Sequence, residues 1–283
     1  MLVEPGRLPA SLHVVVVSGG RGFLRMPDSA ASLAADASSY ADALSSADVA
    51  IVFALAVEAD AFERVVADRR ESHGARFTFS TGLVAGRRIV WCISGVGRTA
   101  AAAAARQLVD GHRPRLLVSA GFAGGLDPDL GRGVAVHPVT AVADGATERI
   151  ALVAPPSPTA SGPLTIVTVD VVAASVTMKQ TLAARTSGQL VDMETFAVAE
   201  VAAAAGLPCA AVRVISDDAH ETLPGEVATL SAPQSSLRRL GAVVGAVGRR
   251  PAVAVDLWRL WERSVVDSRT LAAAVVDAIR HAP

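Results

Sequence analysis

The chain has 283 residues, a formal net charge of −1 and a mass of 28.9 kDa, a size that fits one α/β domain with appendages. An apolar fraction of 51% and a mean hydropathy of +0.42 exclude a disordered chain, and a charge near zero leaves no basic footprint for nucleic acid. Cys92 and Cys209 lie far apart in apolar runs, so neither a disulfide framework nor a zinc site is expected. Aromatics make up only 4%, and of the 26 basic residues Lys179 alone is a lysine.

Residues 1–47 read as an N-terminal extension, with a candidate strand at 13–18 and an Ala/Ser-rich stretch, 28–46, that suits a weak helix. The apolar run 12–18 is broken by Gly19-Gly20 and falls well short of the roughly 20 residues of a bilayer span. It also lacks a basic start and a cleavage pattern, so the expectation is a cytoplasmic protein with no integral membrane segment.

From Ala50 the pattern becomes regular. Residues 49–55 fit a buried strand. Residues 58–70 have helical periodicity, with Ala61, Phe62, Val65 and Val66 on one side. Residues 77–80 and 88–94 read as strands around the turn-like Ala85-Gly86. Residues 99–109 are strong helix formers, with alanine throughout 100–105. Residues 116–120 read as a strand followed by a glycine-rich turn, 121–125. Further strands are expected at 133–139 and 164–169, a helix at 176–185, another at 193–205, and a last apolar strand at 210–215. Past Pro233 only helix is expected, at 237–247 and 251–281. The alternation predicts an α/β fold: a mixed, mostly parallel central sheet flanked by helices, with a helical C-terminal tail. The expected division is an extension over 1–47, a catalytic domain over 48–235 and a helical extension over 236–283.

In such sheets ligands bind beyond the carboxyl ends of the strands, and several polar or glycine-rich clusters fall there. Glu58 follows the 49–55 strand, Ser94-Gly95-Val96-Gly97 follows strand residues 88–93, the glycines 121–125 follow the 116–120 strand, and Asp217-Asp218 the last, while Asp192-Met193-Glu194 opens a helix. Each has a plain structural reading. Glu58 and Glu194 can be first-turn helix acids, Asp192 an N-cap, and the glycines ordinary turns. The 94–97 segment does not match G-x-G-x-x-G, so the dinucleotide fingerprint fails. His220 reads as a solvated loop residue, and the cysteines as core.

The order of the clusters carries a resemblance. Residues 51–62 (IVFALAVEADAF), 94–98 (SGVGR), 119–126 (SAGFAGGL), 191–197 (VDMETFA) and 212–219 (VRVISDDA) resemble the nucleoside phosphorylase/nucleosidase superfamily. The nearest likeness is to methylthioadenosine/S-adenosylhomocysteine nucleosidases and to hopanoid-associated phosphorylases. It covers roughly 49–230, and DME followed by ISD is its specific part; the long helical tail looks more like the hopanoid-associated branch.

The resemblance implies cleavage of the N-glycosidic bond of an adenine nucleoside carrying a 5′ substituent. Hydrolysis comes first, phosphorolysis second, futalosine-type hydrolysis third, and a non-catalytic nucleoside-binding protein on the same fold is the alternative of another class. It implies Asp217, beside Ser216, as the acid that protonates the leaving base. Such an acid must hold a proton near neutral pH, through burial or a neighbouring carboxylate. Glu194 becomes the clamp on the ribose hydroxyls, Met193 packs on the sugar, and Glu58 activates the water. Ser94 and the amides through Gly97 hold that water or a phosphate, and backbone near Val171 and Val172 frames the base. No metal or cofactor is implied; phosphate would be a co-substrate of a phosphorylase. A homodimer is implied, with the apolar faces of the terminal helices as natural contact surfaces. The sequence departs from the nucleosidases near Val171-Val172, where they usually carry a stacking aromatic, which leaves Phe122 or Phe196 for the purine. Arg98 and Arg213 are candidate phosphate contacts or ion-pair residues.

Overall fold

The structure is a computed structural model that describes residues 46–154, 162–223 and 251–282, with side chains from residue 263 in the last stretch. The expected elements at 13–18, 28–46 and 237–247 lie outside the described residues.

Strand β1 (Val49–Phe53) is buried along its whole length, because both faces of the sheet are covered here. Helix α1 (Ala56–Glu63) follows, then β2 (Ala67–His73), β3 (Thr78–Val84) and β4 (Arg87–Ile93), an antiparallel meander. Helix α2 (Arg98–His112) leads to β5 (Leu116–Gly125). The short strands β6 (Ala135–Val136), β7 (Thr140–Ala143), β8 (Arg149–Ala151) and β9 (Thr165–Thr168) come next. Helix α3 (Val176–Thr186), β10 (Leu190–Asp192), α4 (Thr195–Ala204), β11 (Cys209–Asp217) and α5 (Pro251–Arg280) complete the described elements.

The eleven strands form one mixed sheet. Its centre is parallel: β1 lies between β4 and β5, and β11 runs beside β5 from Cys209 to Asp217. The far end of β5 turns to pair antiparallel with β10, which continues parallel to β9 and β7. Alternate residues of β1 feed two cores. Ala50 and Val52 pack with Ala101, Ala104, Ala105 and Leu108 of α2, a face at helical spacing whose small side chains let helix and sheet approach closely. Val49, Ile51 and Phe53 pack with Phe62 of α1 and with Leu271, Val275 and Ile279 of α5. That face of the C-terminal helix, which the sequence offers as a contact surface between subunits, is therefore buried within the chain.

Three expectations are corrected. The helix expected over 58–70 ends at Glu63, and Ala67–His73 is an exposed edge strand; its ladder to β3 is a tertiary contact that overrides the local pattern. The glycine-rich 121–125 is not a turn but the second half of β5, paired on both sides. The strand expected over 133–139 is reduced to Ala135–Val136, while β7, β8 and β10, each of four residues or fewer, were not anticipated. Among the described residues no helix is long and apolar enough to cross a membrane.

Candidate active site

A cavity of about 390 Å³ opens beyond the carboxyl ends of β1, β5, β10 and β11, within the roughly 300–1,000 Å³ usual for small-molecule sites. Glu58, Phe122, Val172, Met193, Glu194, Ser216 and Asp217 all line it. Three of these are buried carboxylates, and each is held differently.

Glu58 is held by main-chain amides. Its Oε2 accepts from the amides of Ala54 (2.9 Å) and Leu55 (2.8 Å), and its Oε1 from that of Phe122 (2.9 Å). Leu55 is the N-cap of α1, so the side chain also caps its own helix, as the plain structural reading has it. A carboxylate offers about four lone-pair sites, and one remains on Oε1. Burial pushes Glu58 above the ordinary carboxylate value, against the amide bonds and the charge of Arg213. Gly121 is required here, since a Cβ on it would lie 2.6 Å from Glu58 Oε1.

Glu194 occupies the N-cap position of α4. Its Oε1 accepts from the Gly97 amide at 2.7 Å, which Gly97 can present from a φ of 100°. Burial first, then the nearby charge of Asp192, push Glu194 up to about 8. Asp192 closes β10 and accepts from Arg213 Nη2 (2.8 Å), from the Thr195 amide (2.9 Å) and from Thr168 Oγ1 (2.7 Å). It thus supports the first turn of α4 from two residues before the N-cap, which is Glu194 and not Asp192 as the plain structural reading has it. Arg213 is engaged within the fold through its Nη atoms: it is buried, paired with Asp192, and donates to the Ser119 carbonyl at 3.0 Å, while its buried Nε has no hydrogen-bond partner.

Asp217 ends β11 and is held by two unlike donors. Ser216 Oγ lies 2.7 Å from Oδ1, and Lys179 Nζ lies 2.6 Å from Oδ2. The sequence leads one to expect burial or a second carboxylate around this acid; Asp217 is buried, and its charged partner is not a carboxylate but the ammonium of the chain's one lysine, itself completely buried. A Cβ at Gly124 would come within 3.1 Å of Oδ2, so a second glycine of β5 makes room for this carboxylate too.

Two expected residues stand back from the cavity wall. Ser94 Oγ is within hydrogen-bond reach of the carbonyls of Gly95 (2.7 Å) and Phe53 (3.2 Å). The Gly97 amide is taken by Glu194; of that segment Val96 faces the cavity. Phe196 is buried in the core with the Arg98 guanidinium 5.9 Å from its ring centre, which leaves Phe122 as the cavity's aromatic among the described residues. Arg98 lies 3.6 Å from Asp170.

Sequence reasoning missed one wall. Arg263, Ser264 and Asp267 of α5 line the cavity together with Arg132. Arg132 donates from Nε to the Ser216 carbonyl and from Nη2 to Asp267, both at 2.6 Å. Burial raises Asp267 above the ordinary value, opposed by Arg132. Nothing local in the sequence joins residue 132 to residue 267. Lys179 was a legible oddity of composition without a site.

The chain belongs to the phosphorylase superfamily, whose family model matches residues 48–165 and 158–247. Among curated proteins it is similar to a 5′-methylthioadenosine/S-adenosylhomocysteine nucleosidase of Pseudoalteromonas translucida, 33% identical over 86 residues. That match spans 30% of this chain and 37% of the relative, so the aligned stretch is little more than a third of the relative's length. Among solved structures it is similar to a 5′-methylthioadenosine/S-adenosylhomocysteine nucleosidase from Neisseria meningitidis in complex with methylthio-immucillin-A. The TM-score is 0.61 and the identity 19%, over 82% of this chain and 98% of that one. A futalosine hydrolase of Helicobacter pylori gives 0.57 at 18% identity, over 80% and 96%. These structural likenesses establish the shared fold.

Proposed function

We propose that this protein is an enzyme that hydrolyses the N-glycosidic bond of an adenine nucleoside with a 5′ substituent, of the 5′-methylthioadenosine/S-adenosylhomocysteine nucleosidase kind. The observation that carries the reading is the convergence of Glu58, Glu194 and Asp217, from three distant parts of the sequence, on one cavity of nucleoside size.

Cleavage builds positive charge on the sugar and negative charge on the departing purine. Glu58, with one lone pair open and its proton affinity raised by burial, takes a proton from the attacking water. Glu194 hydrogen-bonds the ribose hydroxyls, with Met193 against the sugar; the positive charge that develops on the sugar favours the ionised form of Glu194, which offsets it. Asp217, beside Ser216, delivers a proton to the base, and Phe122 and Val172 frame the purine. Water is favoured over phosphate as nucleophile because the Ser94 hydroxyl faces main-chain carbonyls and the Gly97 amide is bound to a carboxylate, a poor cradle for a second anion. The same reading places the protein in the cytoplasm as a homodimer, without a cofactor, and assigns the site to a catalytic domain over 48–235 to which α5 adds a wall. Light scattering at micromolar concentration gives a dimer mass; a monomer refutes that part.

The test is adenine release from a panel of 5′-substituted adenosines, with and without phosphate. Release without phosphate, with the free sugar as product, is the expected result. Ribose 1-phosphate formed only with phosphate would mean phosphorolysis, as in the hopanoid-associated branch, and tight adenosine binding without release would mean a binding protein.

A further inference from the structure

Lys179 projects from α3, is 0% exposed, and its three donors meet three acceptors: Asp217 Oδ2 at 2.6 Å, the Asp218 carbonyl at 2.5 Å and the Glu221 carbonyl at 3.1 Å. An ammonium has three N–H bonds, so it is saturated. Burying a charge this completely is costly, and a cap on two carbonyls could be made by a neutral side chain. The chemistry of the acceptors is what distinguishes them. A main-chain carbonyl is far too weak a base to receive this proton; of the three acceptors the carboxylate is the one Brønsted base. A proton leaving this nitrogen therefore has a single exit, through Asp217 into the cavity.

From this arrangement we infer that Lys179 is the proton source behind Asp217, and that the pair acts as one acid. The inference rests on the nucleosidase reading above. An Nζ–H bond breaks and an Oδ2–H bond forms. As the glycosidic C–N bond breaks, its electron pair passes to the purine, the Asp217 proton moves to a purine ring nitrogen, and the carboxylate is restored beside a neutral amine. Meanwhile the attacking water gives its proton to Glu58 and its oxygen to the sugar. After product release, solvent takes the proton from Glu58 and returns one to Lys179 by way of Asp217. Lys179 never touches the substrate and so is a positioning and supplying residue, with Asp217 the catalytic one.

The variants are Lys179→Met and Lys179→Gln; the Gln amide can still donate to the loop carbonyls if the methionine variant fails to fold. Lys179→Arg is the third, keeping the charge on a group that does not surrender its proton. Each is assayed on a 5′-substituted adenosine and on 4-nitrophenyl riboside, whose leaving group departs without protonation. A general acid is typically worth 10²–10⁴-fold. The expected result is a fall in kcat of about 100-fold or more on the nucleoside with KM nearly constant, no rescue by arginine, and a loss of under about tenfold on the nitrophenyl substrate. Adding Asp217→Asn to Lys179→Met should cost little beyond Asp217→Asn alone, because residues acting as a unit are non-additive. Equal losses on both substrates, rescue by arginine, or an unchanged nucleoside rate would overturn the inference. If Asp217→Asn is crippled while the Lys179 variants are not, the relay falls and the nucleosidase reading stands. If the unmodified protein cleaves no purine nucleoside, both fall.

Discussion

The two sides of the cavity hold their carboxylates by different means. On the side of α1, Glu58 rests on three main-chain amides, partial charges fixed by the fold that cannot titrate. On the side of β11, Asp217 rests on a hydroxyl and an ammonium, and one of these donors has a proton to give. Amide-held acids suit a base that must receive a proton and keep its place; an ion-paired acid suits one that must deliver and be resupplied. The same strand serves both, since Gly121 admits Glu58 and Gly124 admits Asp217.

The sharpest way to break this contrast is Asp217→Asn, which keeps the shape and removes the transferable proton. Turnover on a purine nucleoside should fall by 10²–10⁴-fold with an unchanged circular dichroism spectrum; near-normal turnover would remove Asp217 from its role. Glu58→Gln should lower turnover by a similar order, while Glu58→Ala should also lose stability. Leaving three main-chain amides unpaired, that of Ala54 buried and those of Leu55 and Phe122 partly so, costs up to roughly 1–3 kcal/mol for the buried one and less for the others, and chemical denaturation of the two variants separates the effects. Gly121→Ala should act on the Glu58 side only, at a cost of about 1–3 kcal/mol for overpacking and with a drop in kcat. An unperturbed variant would show that the strand can move aside.

The last contrast is read in the pH dependence of stability and not in turnover. Glu194 is raised from 4.5 to about 8 in the folded chain. Below the lower value both states carry the proton. Between the two only the folded state does, so folding takes up a proton and stability declines as pH rises through that window. Glu194→Gln should flatten this decline, by a few kcal/mol at roughly 1.4 kcal/mol per unit. Parallel stability curves for the two proteins from pH 5 to 8 would contradict the assignment.

The parts of this site that were legible in the sequence are those that local pattern controls. The buried strands read at 49–55, 116–120 and 210–215 announce themselves as apolar runs, and the acids at their ends follow from where α/β sheets bind ligands. The glycines of β5 were visible as a cluster but misread as a turn, because their reason is not the bend of the backbone but the carboxylates pressed against it. Edge strand β2 was misread because its ladder, not its own pattern, makes it a strand. Lys179, Arg132 and Asp267 could not be placed at all: each reaches the site through a tertiary contact spanning 38 or more residues, and no spacing rule connects them.

The central claim is that this cavity uses water to release a purine from its sugar. It is tested most directly by incubating the protein with 5′-methylthioadenosine in water enriched in heavy oxygen, without phosphate, and analysing both products by mass spectrometry. The account predicts free adenine without label and a sugar carrying one heavy oxygen at its anomeric carbon when quenched before exchange. Intact nucleoside, or a sugar released only as its phosphate ester once phosphate is supplied, would contradict it.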